Sequence, residues 1–421
     1  MSSSNEHTVQ NYDDSDAKEN SHGTKCDFEE AISATGFGWH NYGVIVLGCI
    51  ANIVVMFETT SFSFVVPVLQ CDLELPINKM GLLNSIMFLG MICGSVVWGI
   101  ISDIFGRRKL LTIGILVLGL VNLALALSNT FELLMAFKFL SGFVVCGPIT
   151  IIIAYVTEMH GVRYRVKVIV LVSIFYSMGN LIVSLMGLIF LTRSMKMHFL
   201  GMTFLSWHLL FLTLALIDVV VGILASFMPE SPKFYMSHGR HDEALQVLRI
   251  IYRRNTGKHP DTYPIKSLAD ENESQHEMKT ISKGVEELNF GKTDDLSGKI
   301  KKAFIQIAPM FKPPHVTKCF LACGTELFLL MGLNSLRLWM PQVFSLMADD
   351  GTGTEFDFCD KLQSDSGTLE ENRCLTSSVQ PASVFYNSMI VQSVGVVGAT
   401  LICIFINVIH NKFMLGECTY I

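Results

Sequence analysis

The stretch Gly99-Ile100-Ile101-Ser102-Asp103-Ile104-Phe105-Gly106-Arg107-Arg108-Lys109 closes one apolar run and opens the next, each about twenty residues long. A carboxylate, a glycine and three consecutive cations sit in a connection too short to leave a bilayer surface. Lys and Arg concentrate in cytoplasmic loops, so this turn is expected on the cytoplasmic face. The runs on either side then start and end at that face.

Composition leads to the same class. Half of the 421 residues are apolar, and 16% are charged, against about 25% in a typical soluble domain. The formal charge is -6, with most of the acid in two polar blocks, residues 1-42 and 229-317. That distribution offers no basic stripe for phosphate backbones and excludes a nucleic-acid partner. Residues 1-40 are rich in Ser, Asn and Asp and have no short apolar core behind a basic start. No signal peptide is therefore expected, and the first apolar span is expected to direct insertion.

Eight windows are long enough to cross about 30 Å of hydrocarbon: 43-69, 81-101, 110-128, 131-157, 166-191, 203-227, 318-340 and 386-409. Six follow one another quickly; then comes the polar block 229-317 with its 14 Lys and Arg. Together with Arg107, Arg108, Lys109, Arg163, Arg165 and Lys167, this block puts the even-to-odd connections and the N-terminal tail on the cytoplasmic side. The opposite connections are short or acidic, Arg193 and Lys196 excepted. The lipid bilayer is thus the first expected partner. The domain reading is a disordered tail 1-42, a six-span unit 43-228, a loop 229-317, two further spans within 318-409 separated by a short outer loop 342-385, and a short tail 410-421.

The Asp103 to Lys109 run after the second span resembles the loop signature of the major facilitator superfamily. Asp27-Phe28-Glu29-Glu30-Ala31 before Gly36-Phe37-Gly38, Gly81 to Met91 leading to Trp98-Gly99, and Pro229-Glu230-Ser231-Pro232-Lys233-Phe234 before His241-Asp242-Glu243-Ala244 are similar to the synaptic vesicle glycoprotein 2 family and its sugar-porter relatives. The resemblance covers roughly residues 27-409. It implies an all-α major facilitator-type bundle of two six-span halves with a solute site between them. Eight spans give one complete half and two spans of the second, so a truncated isoform, a fragment or an incomplete gene model is expected.

The resemblance implies that Gly99, Asp103, Gly106, Arg107, Arg108 and Lys109 form a gate. In it Asp103 would cap a neighbouring helix and pair with a cation such as Arg107. The same cations also serve simply as topology determinants. Ionisable groups in hydrocarbon cost about 2.5–3.5 kcal/mol on insertion scales and are functional candidates. Glu58 is the first of them, either a coupling acid or a neutral carboxylic acid hydrogen-bonded to Thr59 or Ser61. Lys138 stands where the family usually has Arg, which weakens a bidentate pairing role. Glu158, Arg163, Arg165 and Glu230 resemble a cytoplasmic charge network, and Trp339 in the seventh span is a further solute-contact candidate.

Pro229 to Pro232 ends the sixth span. Asp242 to Arg254 then reads as an amphipathic helix, with Ala244, Leu245, Val247, Leu248 and Ile251 on one face. Residues 256-300 are poor in apolar groups and are expected to be flexible. Cys359 and Cys374 fall in the outer loop, where a disulfide persists. No metal pattern, cofactor motif, nucleophile triad or P-loop is present in the sequence, so neither a cofactor nor an enzyme is expected. Two classes remain. One is a transporter moving a small organic solute by alternating access, with proton or ion coupling through Glu58. The other is a non-transporting membrane protein that binds partners through its tail and the 229-317 loop. A plasma or intracellular vesicle membrane suits either.

Overall fold

The computed structural model describes residues 26–199, 202–269, 313, 315–348 and 379–405. In chain order its helices are α1 Phe28–Ala34, α2 Trp39–Asp72, α3 Ile77–Phe105, α4 Arg107–Ala126, α5 Phe131–Glu158, α6 Val162–Leu191, α7 Ser206–Ser226, α8 Pro232–Ser237, α9 His241–Thr256, α10 His315–Ala348 and α11 Ala382–Phe405. One antiparallel hairpin, β1 Lys196–Phe199 with β2 Met202–Leu205, precedes α7. Eight of the helices are long and apolar enough to cross a membrane. Helices suit that solvent because each satisfies its own backbone groups where no water can. Even α4, with 20 residues, spans about 30 Å.

The starts of α2, α4 and α6 and the ends of α3, α5 and α7 gather at one pole, together with α1, α8 and α9. The Asn41 side chain donates to the Met159 carbonyl at 3.2 Å, and the Tyr155 hydroxyl to the Pro229 carbonyl at 2.7 Å. This is the basic pole. Around it Val44, Leu111, Ile152, Val172 and Leu248 share one apolar cluster, while Phe62, Leu69, Met80, Trp207, Phe211 and Phe385 form a second toward the opposite pole.

Small residues decide the closest crossing. A Cβ on Gly142 of α5 would stand 2.0 Å from the Met87 carbonyl oxygen of α3, and one on Gly90 would stand 2.2 Å from that of Phe139. The two backbones therefore touch, the familiar use of glycine between membrane helices. Trp98 fixes the register by donating its indole N–H to the Phe143 carbonyl at 2.8 Å. The other side of α3, with Leu89, Ile92 and Val96, is exposed as a lipid-facing surface should be. Both Pro67 and Pro148 lie inside continuous helices, α2 and α5.

The later spans join the first six at the pole opposite the basic one. Phe385 of α11 stacks on Phe64 of α2 at 5.5 Å, and its ring fills the notch left by Gly187 of α6. Gln342 of α10 donates to Gln70 of α2 at 3.3 Å, and the Gln380 N–H donates to the Leu191 carbonyl at 3.1 Å.

Three expectations need correction. Residues 26-42 are not a disordered tail. Asp27 caps α1, which buries Phe28 and Ile32 beside α9, and α2 begins at Trp39 rather than at 43. Residues 203-205 belong to β2, so the sixth span starts at Ser206. Within 256-300, residues up to 269 are fixed against the body: Tyr263, Ile265 and Leu268 are buried, the Tyr263 hydroxyl donates to the Ala31 carbonyl at 2.6 Å, and Cys26 bridges to Leu268. The remainder of that stretch lies outside the described residues.

Candidate functional site

The deepest polar group is on α2. Glu58 is 1% exposed and meets Lys138 of α5, whose ammonium donates to the Glu58 backbone carbonyl at 3.0 Å and to Oε2 at 3.4 Å. The Ser141 hydroxyl, one turn along α5, donates to the same Oε2. Oε1 has no partner among the described residues. Lys138 is itself fully buried, its ammonium 5.1 Å from the Phe62 ring centre and 5.9 Å from that of Phe211. A carboxylate, a carbonyl and two aromatic faces therefore replace its water. Asp218 of α7 lies within electrostatic reach of both Glu58 and Lys138 and accepts from the Asn122 side chain of α4 at 2.7 Å. Beside it the Thr60 hydroxyl donates to Asn180 of α6 at 2.9 Å.

At the basic pole, the Arg107 guanidinium donates to Asp103 at 2.7 Å, to the Ser102 carbonyl at 2.9 Å and to Glu158 of α5 at 3.5 Å. Glu158 takes a second hydrogen bond from the Ser231 hydroxyl at 2.5 Å. The carboxylate that caps α4 is Glu230. The Arg108 N–H donates to its Oε1 at 2.8 Å and the Lys109 N–H to its Oε2 at 3.4 Å. A carboxylate against unpaired N–H groups at the positive end of a helix is a favourable arrangement. The Arg108 side chain closes the junction by donating to the Ser226 carbonyl of α7.

A second knot joins α1, α2, α6 and α9. Arg165 holds Glu29 at 2.8 Å and donates to the Thr157 carbonyl at 3.0 Å. Asn255 donates to Asn41 at 2.7 Å and to the Gly36 carbonyl at 3.1 Å, and accepts the His40 N–H at 3.1 Å. Within it His160 is fully buried, its Nδ1–H directed at the Val156 carbonyl at 2.7 Å while Nε2 has no partner among the described residues. Burial, aided by the Arg165 charge and only partly opposed by the Val156 carbonyl, holds the His160 pKa below its usual value. The unfolded chain binds the proton near pH 6.5 and the folded one only at lower pH, so stability falls as pH drops below about 6.5. Melting of the purified protein should shift downward between pH 7.5 and 5, and His160→Gln should flatten that dependence.

The sequence model of the major facilitator superfamily matches residues 48–351. The chain belongs to the major facilitator superfamily. Among curated proteins, synaptic vesicle glycoprotein 2C of Mus musculus is 29% identical over 233 residues, covering 54% of this chain and 32% of that protein. The synaptic vesicle 2-related protein of Xenopus laevis is 28% identical over 232 residues, covering 55% of this chain and 40% of that one. The chain thus spans less than half the length of these relatives. Among solved structures, the xylose transporter XylE from E. coli in a partially occluded inward-open conformation superimposes with a TM-score of 0.56 at 15% identity, over 87% of this chain and 71% of that one. XylE bound to 6-bromo-6-deoxy-D-glucose gives 0.58 at 16% identity, over 87% and 69%. At those identities the likeness is one of fold.

Among the residues singled out in this family member's sequence, the structure joins Glu58 to Lys138, and Asp103, Arg107 and Glu158 into one chain of contacts. It separates others. Neither Thr59 nor Ser61 serves Glu58: the Thr59 hydroxyl bonds the Val55 and Met56 carbonyls, and that of Ser61 has no partner among the described residues. Asp103 is largely exposed and its partner is Arg107, while the start of α4 is capped by Glu230. Arg165 pairs with Glu29 rather than Glu158, and Arg163 lies exposed over the Tyr164 ring at 5.9 Å, outside the network. A Cβ on Gly99 would meet nothing within 4 Å among the described residues. Trp339 of α10 stands beside Gly81 at the start of α3. Cys359 and Cys374 lie outside the described residues; Cys71, at the end of α2, is disulfide-bonded.

Sequence reading quoted Glu29 and Ser231 within motifs without giving them a contact, and passed over Ser141, Asn122 and Asn255. Ser141 and Lys138 are three apart on one helix face, and Asp27 with Glu29 and Glu30 is an N-cap followed by acids in a first turn, so both signals were present. The Asn122–Asp218 pairing joins residues 96 apart in sequence and carries no local signal.

Proposed function

We propose that the chain moves a small organic solute across the membrane by alternating access, with proton movement coupled through Glu58 and Lys138. The observation that supports this is the sealed group of two carboxyls, Glu58 and Asp218, around one ammonium, Lys138. One proton held between the carboxyls balances the charge; its loss leaves a net negative charge in hydrocarbon, a costly state that favours a rearrangement. A proton on Glu58 weakens its hold on Lys138 and frees α2 to shift against α5. The partnerless Oε1 is the atom placed to receive it.

The basic pole is assigned to the cytoplasm by Arg107, Arg108, Lys109, Arg163, Arg165, Lys167 and the cations of α9. The disulfide at Cys71 suits an oxidising compartment at the other pole. With that sidedness, the contacts of α10 and α11 with the first six helices lie on the outer side, an inward-facing arrangement. The names of the curated relatives support a vesicle membrane.

The test uses proteoliposomes loaded with a pH dye and a panel of a monosaccharide, an organic cation and an organic anion. One solute class should carry protons with it, and Glu58→Gln should abolish the proton signal while solute exchange persists. Proton flux unchanged in Glu58→Gln would remove that residue from coupling. Absence of flux with every solute would favour the binding class.

A further inference from the structure

We infer that a cavity at the start of α2 binds the phosphate of an anionic phospholipid. The cavity, about 220 Å³, is lined by Trp39, His40 and Gly43 of α2, Met228 after α7, and Arg254 of α9. Its floor is the first turn of a 34-residue helix, whose dipole places roughly half a positive charge there, with the His40 N–H itself held by Asn255 Oδ1. Arg254 is exposed at its rim and has no ion pair among the described residues. His40 is 4% exposed, and its Nε2 has no hydrogen-bond partner among the described residues, a buried polar atom that lacks a counterpart. A helix start, a guanidinium and an imidazole N–H converging on one hollow form a donor set for an anion with several oxygens, which is the chemistry of phosphate.

The surroundings choose a lipid over a soluble phosphate. Trp39 is 82% exposed, Phe227 72%, Val46 55% and Tyr42 54%. Trp39, Tyr42 and Phe227 stand at the basic pole beside the cavity, and Val46 lies a turn further along α2 toward the middle. That is the profile of a membrane interface, where Trp and Tyr sit at headgroup depth. A hollow of about 220 Å³ suits a small headgroup, and the acyl chains would lie outside it, along Val46. Gly43 leaves that room open, since a Cβ there would already be 3.4 Å from the Met228 methyl. Basic hollows between membrane helices at the headgroup level recognise anionic lipids in this way.

The site is separate from Glu58 and Lys138 and does not depend on transport. The purified protein in detergent would be titrated with short-chain phosphatidylglycerol and, in parallel, phosphatidylcholine, and retained lipid counted by native mass spectrometry. Phosphatidylglycerol should be retained over phosphatidylcholine. Arg254→Ala should cut its retention about fivefold or more, while Arg253→Ala, one residue away but off the cavity, should leave it nearly unchanged. Gly43→Leu, which fills the hollow without touching a charge, should also lower it. Equal retention of the two lipids, equal loss in the Arg254 and Arg253 variants, or retention unchanged by Gly43→Leu would overturn the assignment. Displacement of the lipid by millimolar inorganic phosphate would overturn the lipid source in favour of a soluble one. Arg254 is exposed, so its replacement leaves the fold intact, checked by an unchanged melting temperature.

Discussion

Lys138→Met should cost the folded protein about 3–5 kcal/mol, because it leaves the Glu58 carboxylate buried without its cation. Glu58 would keep only the Ser141 hydroxyl, with Asp218 still close by. The variant should melt lower in detergent at neutral pH. Lys138→Arg is a milder change in charge but not in shape, since a planar fork must fit between the Phe62 and Phe211 rings. The double variant Glu58→Gln with Lys138→Met should recover part of what the single one loses, because the ion pair is removed as a unit and the one carboxyl left buried, Asp218, keeps its hydrogen bond from Asn122. A double variant as unstable as Lys138→Met alone would show that the site is held by packing around the lysine rather than by the ion pair.

How much of this was open to reading from residues follows from the range over which each feature is encoded. The eight spans are local: twenty apolar residues in a row have one stable outcome in lipid, and each became a helix. The Arg107–Asp103 pair is local as well, four residues apart across a glycine. Glu58 and Lys138 could each be marked as costly, but the residues between them in sequence say nothing about which faces of α2 and α5 meet. Here Lys in place of Arg did not remove the pairing, because the ammonium found a carboxylate and a backbone carbonyl in place of a second carboxylate oxygen. The N-terminal segment misled for a different reason. Its polar composition resembles a tail, yet Phe28 and Ile32, two apolar residues a helical turn apart, are enough to seat a seven-residue helix on the amphipathic α9. The cap of α4 by Glu230 carried no local signal, because only the chain path after α7 brings that carboxylate to the helix start.

Gly106→Ala tests that junction and should be strongly destabilising. Gly106 has φ +100° and ψ 154°, a backbone region essentially reserved for glycine, so any side chain there costs about 1–3 kcal/mol before contacts are counted. The added Cβ would also stand 2.6 Å from Glu230 Oε2 and 2.9 Å from its carboxyl carbon. It would thus displace the group that caps α4 and lose a further contribution of about 0.5–2 kcal/mol. Glu230→Gln, by contrast, keeps one acceptor oxygen for the Arg108 N–H and gives up the charge against the helix dipole and the longer bond from the Lys109 N–H, a loss of about 1 kcal/mol. The expected order of melting temperatures is wild type, then Glu230→Gln, then Gly106→Ala well below both. In the alanine variant the α3–α4 turn should also become cleavable by a protease added to vesicles that expose the basic pole. Equal melting of the two variants would mean that the backbone relaxes out of its glycine-only conformation at little cost, and that Glu230 and not Gly106 sets the angle between α3 and α4.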